Sequence, residues 1–439
     1  MVTRREFLDT LAVGAAGLAI GSTAKSYGQI LGSNDRVNFA IIGLHGRGYA
    51  HLAALKANKD TARVSHICDV DGDILKRFAD RAEHELGYAP ATEKDFRHLL
   101  QLKDVDAITI ATPEQWHAPM AIASLQAGKH VYVEKPCSHN PAEGALLVEA
   151  QKKYGKLVQM GNQRRSNALV IEAVDKIHNG LIGKPCFGKG WYSNTRKSIG
   201  VGKVIPVPPQ LDWDLWQGPA PRRPYTDNIH PYNWHWFKTY GTGEALNNGT
   251  HEIDVCRWAM GVDYPQRITS SGGRYHFKDD WQFYDTLVTS FDYGDKLISW
   301  EGKCCSGMQY YGRGRGSTIM GTTGSMLIDG GGYEVYDLKG KMTSEVKTGH
   351  ANATSDLTGE DSMTNAHFAN FIAAIRKGDK LNSPVAVGNV AVTMLQLSNV
   401  AWEVNRELKL DTANGKILND AAAMKLWNRE YEKGWEPHL

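Results

Sequence analysis

The sequence predicts an α/β chain: an N-terminal doubly wound parallel sheet of Rossmann type, then an α+β domain built on a large, mostly antiparallel open sheet. Three observations predict it. From about Arg36 to Met160, short β-branched apolar runs alternate with helical stretches, the pattern of successive βαβ units. A glycine-rich turn, Gly43-Leu44-His45-Gly46-Arg47-Gly48, follows the first of these runs. Beyond Ser166 the texture changes to aromatic and proline-rich sequence, then to recurrent strand-like runs.

Each element has its own reason. Val37–Ile42 is continuously apolar, as a strand buried on both faces requires. A helix follows to about Asn58. Residues 63–67 form a second strand ending at Asp69, and residues 71–86 form an amphipathic helix. A strand over 106–110 ends in Ala111-Thr112-Pro113, with a helix over 119–127 after it. Val131-Tyr132-Val133 is the next strand, stopped by Glu134-Lys135-Pro136, because proline supplies no ladder donor. A helix over 142–154, a strand over 157–160 and a helix over 169–178 complete the first half. In the second half, strand-like runs recur at 266–275, 286–293, 296–303, 317–321 and 325–328. Two helices, 367–377 and 387–407, close the chain. The expected organisation is a leader and linker (1–33), a nucleotide-binding domain (34–165) and a second domain (166–439), whose last helices pack back on the first domain.

Composition narrows the function. The 439 residues carry 50 basic and 48 acidic side chains, so no global field draws nucleic acid or an anionic membrane. Six cysteines without CxxC spacing read as small core residues, not as a disulfide framework or metal site. Near the N-terminus, Thr3-Arg4-Arg5-Glu6-Phe7-Leu8 precedes a short Ala/Gly-rich apolar stretch and the small residues Ser22-Thr23-Ala24. Paired arginines in that setting look like a twin-arginine export signal, which implies a periplasmic or exported protein carrying a tightly held cofactor.

The ligand-type residues gather at expected strand ends, where open α/β sheets bind ligands. Gly43, Gly46 and Gly48 keep the spacing of the dinucleotide fingerprint, but His45 stands at its second glycine position. A side chain there crowds the phosphates or, with Arg47, donates to them. Asp69 suits both ribose hydroxyls and repels a 2′-phosphate, which favours NAD over NADP. The backbone of Ala111, Thr112 and Pro113 lies where the cofactor would cross the sheet. His117 is a helix-start residue beside that path, or a catalytic group. Glu134 and Lys135 face the same end. Asn162, Gln163 and Arg164 suit a polyhydroxylated ligand, since amides donate and accept at once; the alternative is a helix start with the arginines in solvent. His235 and Trp236 offer a stacking platform for a pyranose ring or, equally, interior packing. Asn247, Asn248 and His251 sit in a glycine-rich loop opening a helix, on which His251 and Asp254 would share a face.

Taken in order, Gly43…Gly48, Asp69, Ala111-Thr112-Pro113…His117, Glu134-Lys135-Pro136, Gly161-Asn162-Gln163 and Gly241…His251 resemble the Gfo/Idh/MocA family of NAD(P)-dependent sugar oxidoreductases. The segment Trp213-Asp214-Leu215-Trp216-Gln217-Gly218-Pro219-Ala220 looks like that family's secreted, twin-arginine branch. The resemblance implies that Lys135 and His251 are the catalytic pair. His251 would take the hydroxyl proton while a sugar C–H hydride leaves for the nicotinamide, and Lys135 would stabilise the oxygen. Many relatives carry an aspartate where this chain has Asn247. The implied activity is oxidation of a sugar or glycoside by tightly bound NAD, with a second substrate or redox partner to restore the cofactor. The alternative is redox-assisted glycoside hydrolysis through transient C3 oxidation, and a third reading is a non-catalytic sugar-binding protein. The resemblance also implies a homo-oligomer, a dimer or tetramer.

Overall fold

A computed structural model describes residues 36–347 and 361–439. The expected export signal lies outside the described residues. The first domain runs β1 (Val37–Ile42), α1 (Arg47–Ala57), β2 (Ala62–Cys68), α2 (Gly72–Leu86), β3 (Ala91–Glu93), α3 (Phe96–Gln101), β4 (Ala107–Ile110), α4 (His117–Gln126), β5 (His130–Val133), α5 (Pro141–Tyr154) and β6 (Val158–Met160). Its six strands are all parallel in the order β3-β2-β1-β4-β5-β6. The order reverses between β1 and β4, which opens a crevice at their carboxyl ends. Local chemistry sets the helix ends. Asp71 caps α2 by accepting from the Asp73 and Ile74 amides, and Gly87 ends it with φ 76°. Asn140 caps α5, with Pro141 at its first turn.

After α6 (Ala168–His178), capped by Asn167, comes β7 (Pro185–Ser193). An irregular aromatic region follows, with the short helix α7 (Trp213–Gln217). Then come α8 (Gly243–Asn247), α9 (Gly249–Met260), β8 (Arg267–Gly273), β9 (Thr286–Asp292), β10 (Leu297–Lys303), β11 (Arg315–Gly321), β12 (Gly324–Asp329), β13 (Gly332–Asp337) and β14 (Met342–Lys347). α10 (Ser362–Lys377), α11 (Val385–Val404) and β15 (Leu408–Lys409) finish the described core. The nine-stranded second sheet has the order β14-β13-β12-β11-β7-β10-β9-β8-β15 and is antiparallel except for the β7–β10 pair. The sequence pattern did not show β7, which lies at the centre of this sheet.

Two packing facts tie the halves together. Phe368 and Phe371 of α10 pack on Phe39 of β1 and Tyr132 of β5, so a late helix covers one face of the first sheet. α11 is a core helix, with Ala391, Val392, Met394, Leu395 and Leu397 fully buried. Its Asn399 side chain donates to the Thr242 carbonyl, just before α8.

Candidate active site

The β1–β4 crevice opens into a cavity of about 580 Å³ that reaches from the glycine turn to the start of α9. Backbone contacts explain the glycines. A Cβ on Gly43, whose φ is +85°, would lie 2.6 Å from the Ala111 backbone; one on Gly48 would lie 2.5 Å from the Gly43 carbonyl oxygen. The strand ends and the α1 start therefore approach more closely than any side chain permits. Asp69, at the end of β2, staples this turn: its carboxylate accepts from the Leu44 amide at 2.8 Å and from the Asp71 amide at 3.0 Å. Burial pushes its pKa up to about 6, against those hydrogen bonds. His45 is exposed at the rim, where it leaves the floor of the turn open. A turn whose glycines keep its floor open, beneath a strand-end carboxylate, fits a dinucleotide: the turn for the phosphates, Asp69 for a ribose.

Arg47 lines the cavity, and its side chain is held by the floor beneath the turn. Its Nε donates to Glu134 Oε1 at 2.8 Å and a terminal nitrogen to Thr364 at 3.0 Å. Glu134 is the hub of this floor, accepting also from His51 at 3.1 Å and from Gln163 at 3.1 Å. Burial would raise its pKa, yet Arg47 and His51 hold it well below the ordinary carboxylate range. Glu134 is thus an organiser of the turn, and its neighbour Lys135 is the group presented to the cavity. His117 bridges two strand-end turns, with its ring nitrogens 2.6 Å from the Pro136 carbonyl and 2.8 Å from the Thr112 carbonyl. Burial lowers its pKa, against these two carbonyls, which only accept and so favour the ring protonated at both nitrogens.

Lys135 reaches across to the second domain. Its Nζ donates to the Asn247 carbonyl at 2.5 Å and approaches Asn247 Oδ1 at 3.3 Å. Burial lowers its pKa, against the raising pull of Glu134 and Glu114. His251, in the first turn of α9, lines the same cavity. Among the described residues its buried Nδ1 has no hydrogen-bond partner. Burial, then the charges of Lys135, Arg315 and Arg164, hold His251 well below its ordinary pKa. It is a neutral ring in a positive field.

Three expected substrate residues lie elsewhere. Arg164 is neither a ligand contact nor solvated: it pairs with the fully buried Glu252 of α9, while Arg165 pairs with Asp254 at 2.6 Å. Successive arginines after β6 thereby latch the helix that carries His251, and Asp254 is consumed in that latch. Asn162 is buried outside the cavity lining, and among the described residues neither its amide nitrogen nor its amide oxygen has a hydrogen-bond partner. Trp236 stacks on Trp281 with ring centroids 3.8 Å apart and backs the Arg196 guanidinium. His235, Asn247, Asn248 and Gln163 do line the cavity. His235 stacks on Trp234 at 3.6 Å, and burial lowers its pKa to about 3.

Sequence reasoning missed four cavity residues that matter. Tyr192 and Asn194 come from the undetected β7 and its exit. Arg315 opens β11 opposite Tyr192 and pairs with Glu252 at 2.7 Å. Glu114 lies between Pro113 and His117 and carried no signal apart from its position. It is 2% exposed and accepts a hydrogen bond from the Thr242 hydroxyl.

Comparison with known proteins agrees with this architecture. Residues 37–162 match a family model described as "Oxidoreductase family, NAD-binding Rossmann fold", and residues 188–314 match its companion, "Oxidoreductase family, C-terminal alpha/beta domain". A glycosyl hydrolase family 109 protein of Saccharopolyspora erythraea is 32% identical over 217 residues, 45% of this chain and 47% of that protein. The chain thus spans about half the length of that relative. A scyllo-inositol 2-dehydrogenase (NAD(+)) of Bacillus subtilis is 26% identical over 298 residues, 67% of this chain and 74% of that one. Among solved structures, the WlbA dehydrogenase of Bordetella pertussis, in complex with NADH and UDP-GlcNAcA, shares the fold with TM-score 0.63. It is 19% identical, over 86% of this chain and 99% of that one. With the two family models matched in order across a glycine turn and cavity of this form, the chain belongs to the Gfo/Idh/MocA oxidoreductase family and its N-terminal half is an NAD-binding Rossmann domain.

Proposed function

We propose that the cavity oxidises a secondary hydroxyl of a sugar or glycoside. One observation carries this reading: Lys135 from the end of β5 and His251 from the start of α9 line a single cavity with the glycine turn and Asp69. Bound NAD supplies the hydride acceptor. The chain supplies the rest. Asp69 accepts from the ribose hydroxyls, and the Gly43–Gly48 turn seats the phosphates. Lys135 donates to the reacting oxygen and stabilises it as negative charge develops. His251, a neutral ring whose Nδ1 has no hydrogen-bond partner among the described residues, faces the same oxygen. Asn194, whose amide nitrogen donates to the Tyr192 hydroxyl, offers its amide oxygen to the remaining hydroxyls, and Trp234 and His235 form a flat wall for the ring. The NAD-named inositol dehydrogenase among the relatives supports this substrate class.

Nitrophenyl glycosides and free sugars given to the NAD-loaded protein test it. A keto-sugar formed in step with reduced nucleotide supports the reading. Aglycone release without net reduction supports instead redox-assisted glycoside hydrolysis, in which transient C3 oxidation acidifies the C2 proton and elimination expels the aglycone. The glycosyl hydrolase family 109 relative favours that second reading. The Arg4-Arg5 pair carries a further proposal, export by the twin-arginine route. Replacing both arginines by lysine should leave the protein in the cytoplasm.

A further inference from the structure

The proposed oxidation must put a proton somewhere, and the His251 ring is badly placed to keep it. An imidazolium there would sit beside Lys135, Arg315 and Arg164, whose charges already oppose it. The cavity holds another group that the proposed chemistry leaves unused. Glu114 stands four residues beyond the end of β4, and Lys135 two residues beyond the end of β5; the two strands pair directly, Ile110 opposite Val133. Both side chains line the cavity. The other acids around Lys135 are committed: Glu134 to Arg47 and His51, Glu244 to Arg196, Glu252 to Arg164 and Arg315. Among the described residues, Glu114 makes no ion pair within 4 Å; its hydrogen bond comes from the neutral Thr242 hydroxyl.

We propose that Glu114 is the proton acceptor for Lys135, and that this couple, not His251, takes the proton of the substrate hydroxyl. The step moves protons only. One N–H bond of Lys135 breaks and one O–H bond forms on the Glu114 carboxylate, with one water relaying the proton between them. The neutral amine then has a lone pair for the hydroxyl proton. Substrate O–H breaks, N–H reforms, and Glu114 releases its proton to solvent when the product leaves. Glu114 acts through Lys135 and is a positioning residue.

The surroundings favour a couple that shares one proton. Burial raises the Glu114 pKa to about 7, against the Thr242 hydrogen bond and Lys135, with Glu244 adding to the rise. Burial lowers the Lys135 pKa, the charges of Glu134 and Glu114 raise it and those of Arg315 and Arg47 lower it further, while Lys135 itself depresses both His251 and His235. In a buried site, a neutral amine beside a neutral acid avoids burying two charges.

This inference rests on the oxidation reading for its kinetics, so the experiment has two arms that do not. In the protein without substrate, the infrared band of protonated carboxyls should lose two components near neutral pH, one from Asp69 near 6 and one near 7; only the latter should be missing from Glu114→Gln, which keeps the Thr242 hydrogen bond. Lys135 labelling by an amine-reactive reagent, followed by peptide mass spectrometry, should show a lower pH midpoint in Glu114→Gln, because the raising pull of the carboxylate is gone. In the kinetic arm, the acid limb of kcat/KM for sugar oxidation should lie near pH 7 in the parent and stay there in a slower His251→Gln. In Glu114→Gln it should move to the alkaline side and coincide with the Lys135 labelling midpoint, with at least tenfold loss at pH 7. A limb that stays near pH 7 in Glu114→Gln, or that vanishes in His251→Gln, overturns the proposal. If no sugar is oxidised, the oxidation reading fails, while the infrared and labelling arms still decide whether the couple exists.

Discussion

Lys135 Nζ donates to the main-chain carbonyl of Asn247 across a distance of 2.5 Å. A side chain at the carboxyl end of β5 is therefore fixed by the residue that ends α8, and the two domains meet through the group proposed to act on the reacting oxygen. The amide oxygen of the same asparagine lies 3.3 Å from the ammonium, in a position where a carboxylate would form an ion pair.

Asn247→Asp puts that carboxylate in place. A new negative charge at this range stabilises the protonated lysine and should raise its pKa by about one to three units. The acid limb of sugar oxidation should therefore shift to higher pH, and the rate at neutral pH should fall. Rate profiles of the two proteins between pH 5 and about 9 check this. An unchanged limb would mean that Lys135 exchanges no proton in the measured step.

Asp69 gives a cofactor-binding prediction with a defined sign. Its pKa is raised from 3.8 to about 6 by burial, so the carboxylate that accepts ribose hydroxyls is populated above that pH and lost below it. NAD affinity should be full above about pH 7 and weaken as the pH falls through 6. In the protein without cofactor the sign is opposite: the raised pKa favours the folded state in acid, and that contribution fades as the pH rises through about 6. Asp69→Asn should bind NAD weakly, by a factor of about ten, and without this acid dependence. Titration of nucleotide binding by calorimetry at several pH values measures both.

The Arg164 latch is structural. Glu252 is fully buried between Arg164 and Arg315, so Arg164→Leu leaves it with one partner. Loss of a buried partner should destabilise the fold by about 3 kcal/mol, with a lower urea midpoint. Since α9 carries His251 one residue before Glu252, turnover should suffer as well, while NAD binding in the other domain persists.

The first domain was legible in the sequence for a physical reason. Its strands are buried on both faces, so Val37–Ile42 and Val131-Tyr132-Val133 read as unbroken apolar runs, and their ends carry the ligand-type residues. β7 was not legible because α9 lies almost against it. A Cβ on Gly188 would come within 2.8 Å of Met260 Sδ, and one on Gly190 within 2.9 Å of the Glu252 Cβ. Close packing demanded glycine where a strand pattern would show valine. β14 was missed for the opposite reason, since Met342–Lys347 is largely exposed. Within the site, Lys135, His251 and Asp69 could be named because they end or begin elements. Arg315 and Tyr192 could not, since only the β7–β11 pairing brings them to the cavity. Arg164 and Trp236 misled because their residue types suit a sugar equally well, and their burial is decided by α9 and Trp281.

The central claim is that Lys135 acts in sugar oxidation at an NAD site. Single-turnover mixing of NAD-loaded protein with a panel of sugars and glycosides, followed by reduced-nicotinamide absorbance, tests it most directly when the parent is compared with Lys135→Met. The account predicts a burst of reduced nucleotide with at least one sugar in the parent. It predicts a loss of about a thousandfold or more in Lys135→Met, with NAD affinity changed by less than about threefold. A parent that holds no NAD, or a Lys135→Met protein that reduces it as fast as the parent, would contradict the account.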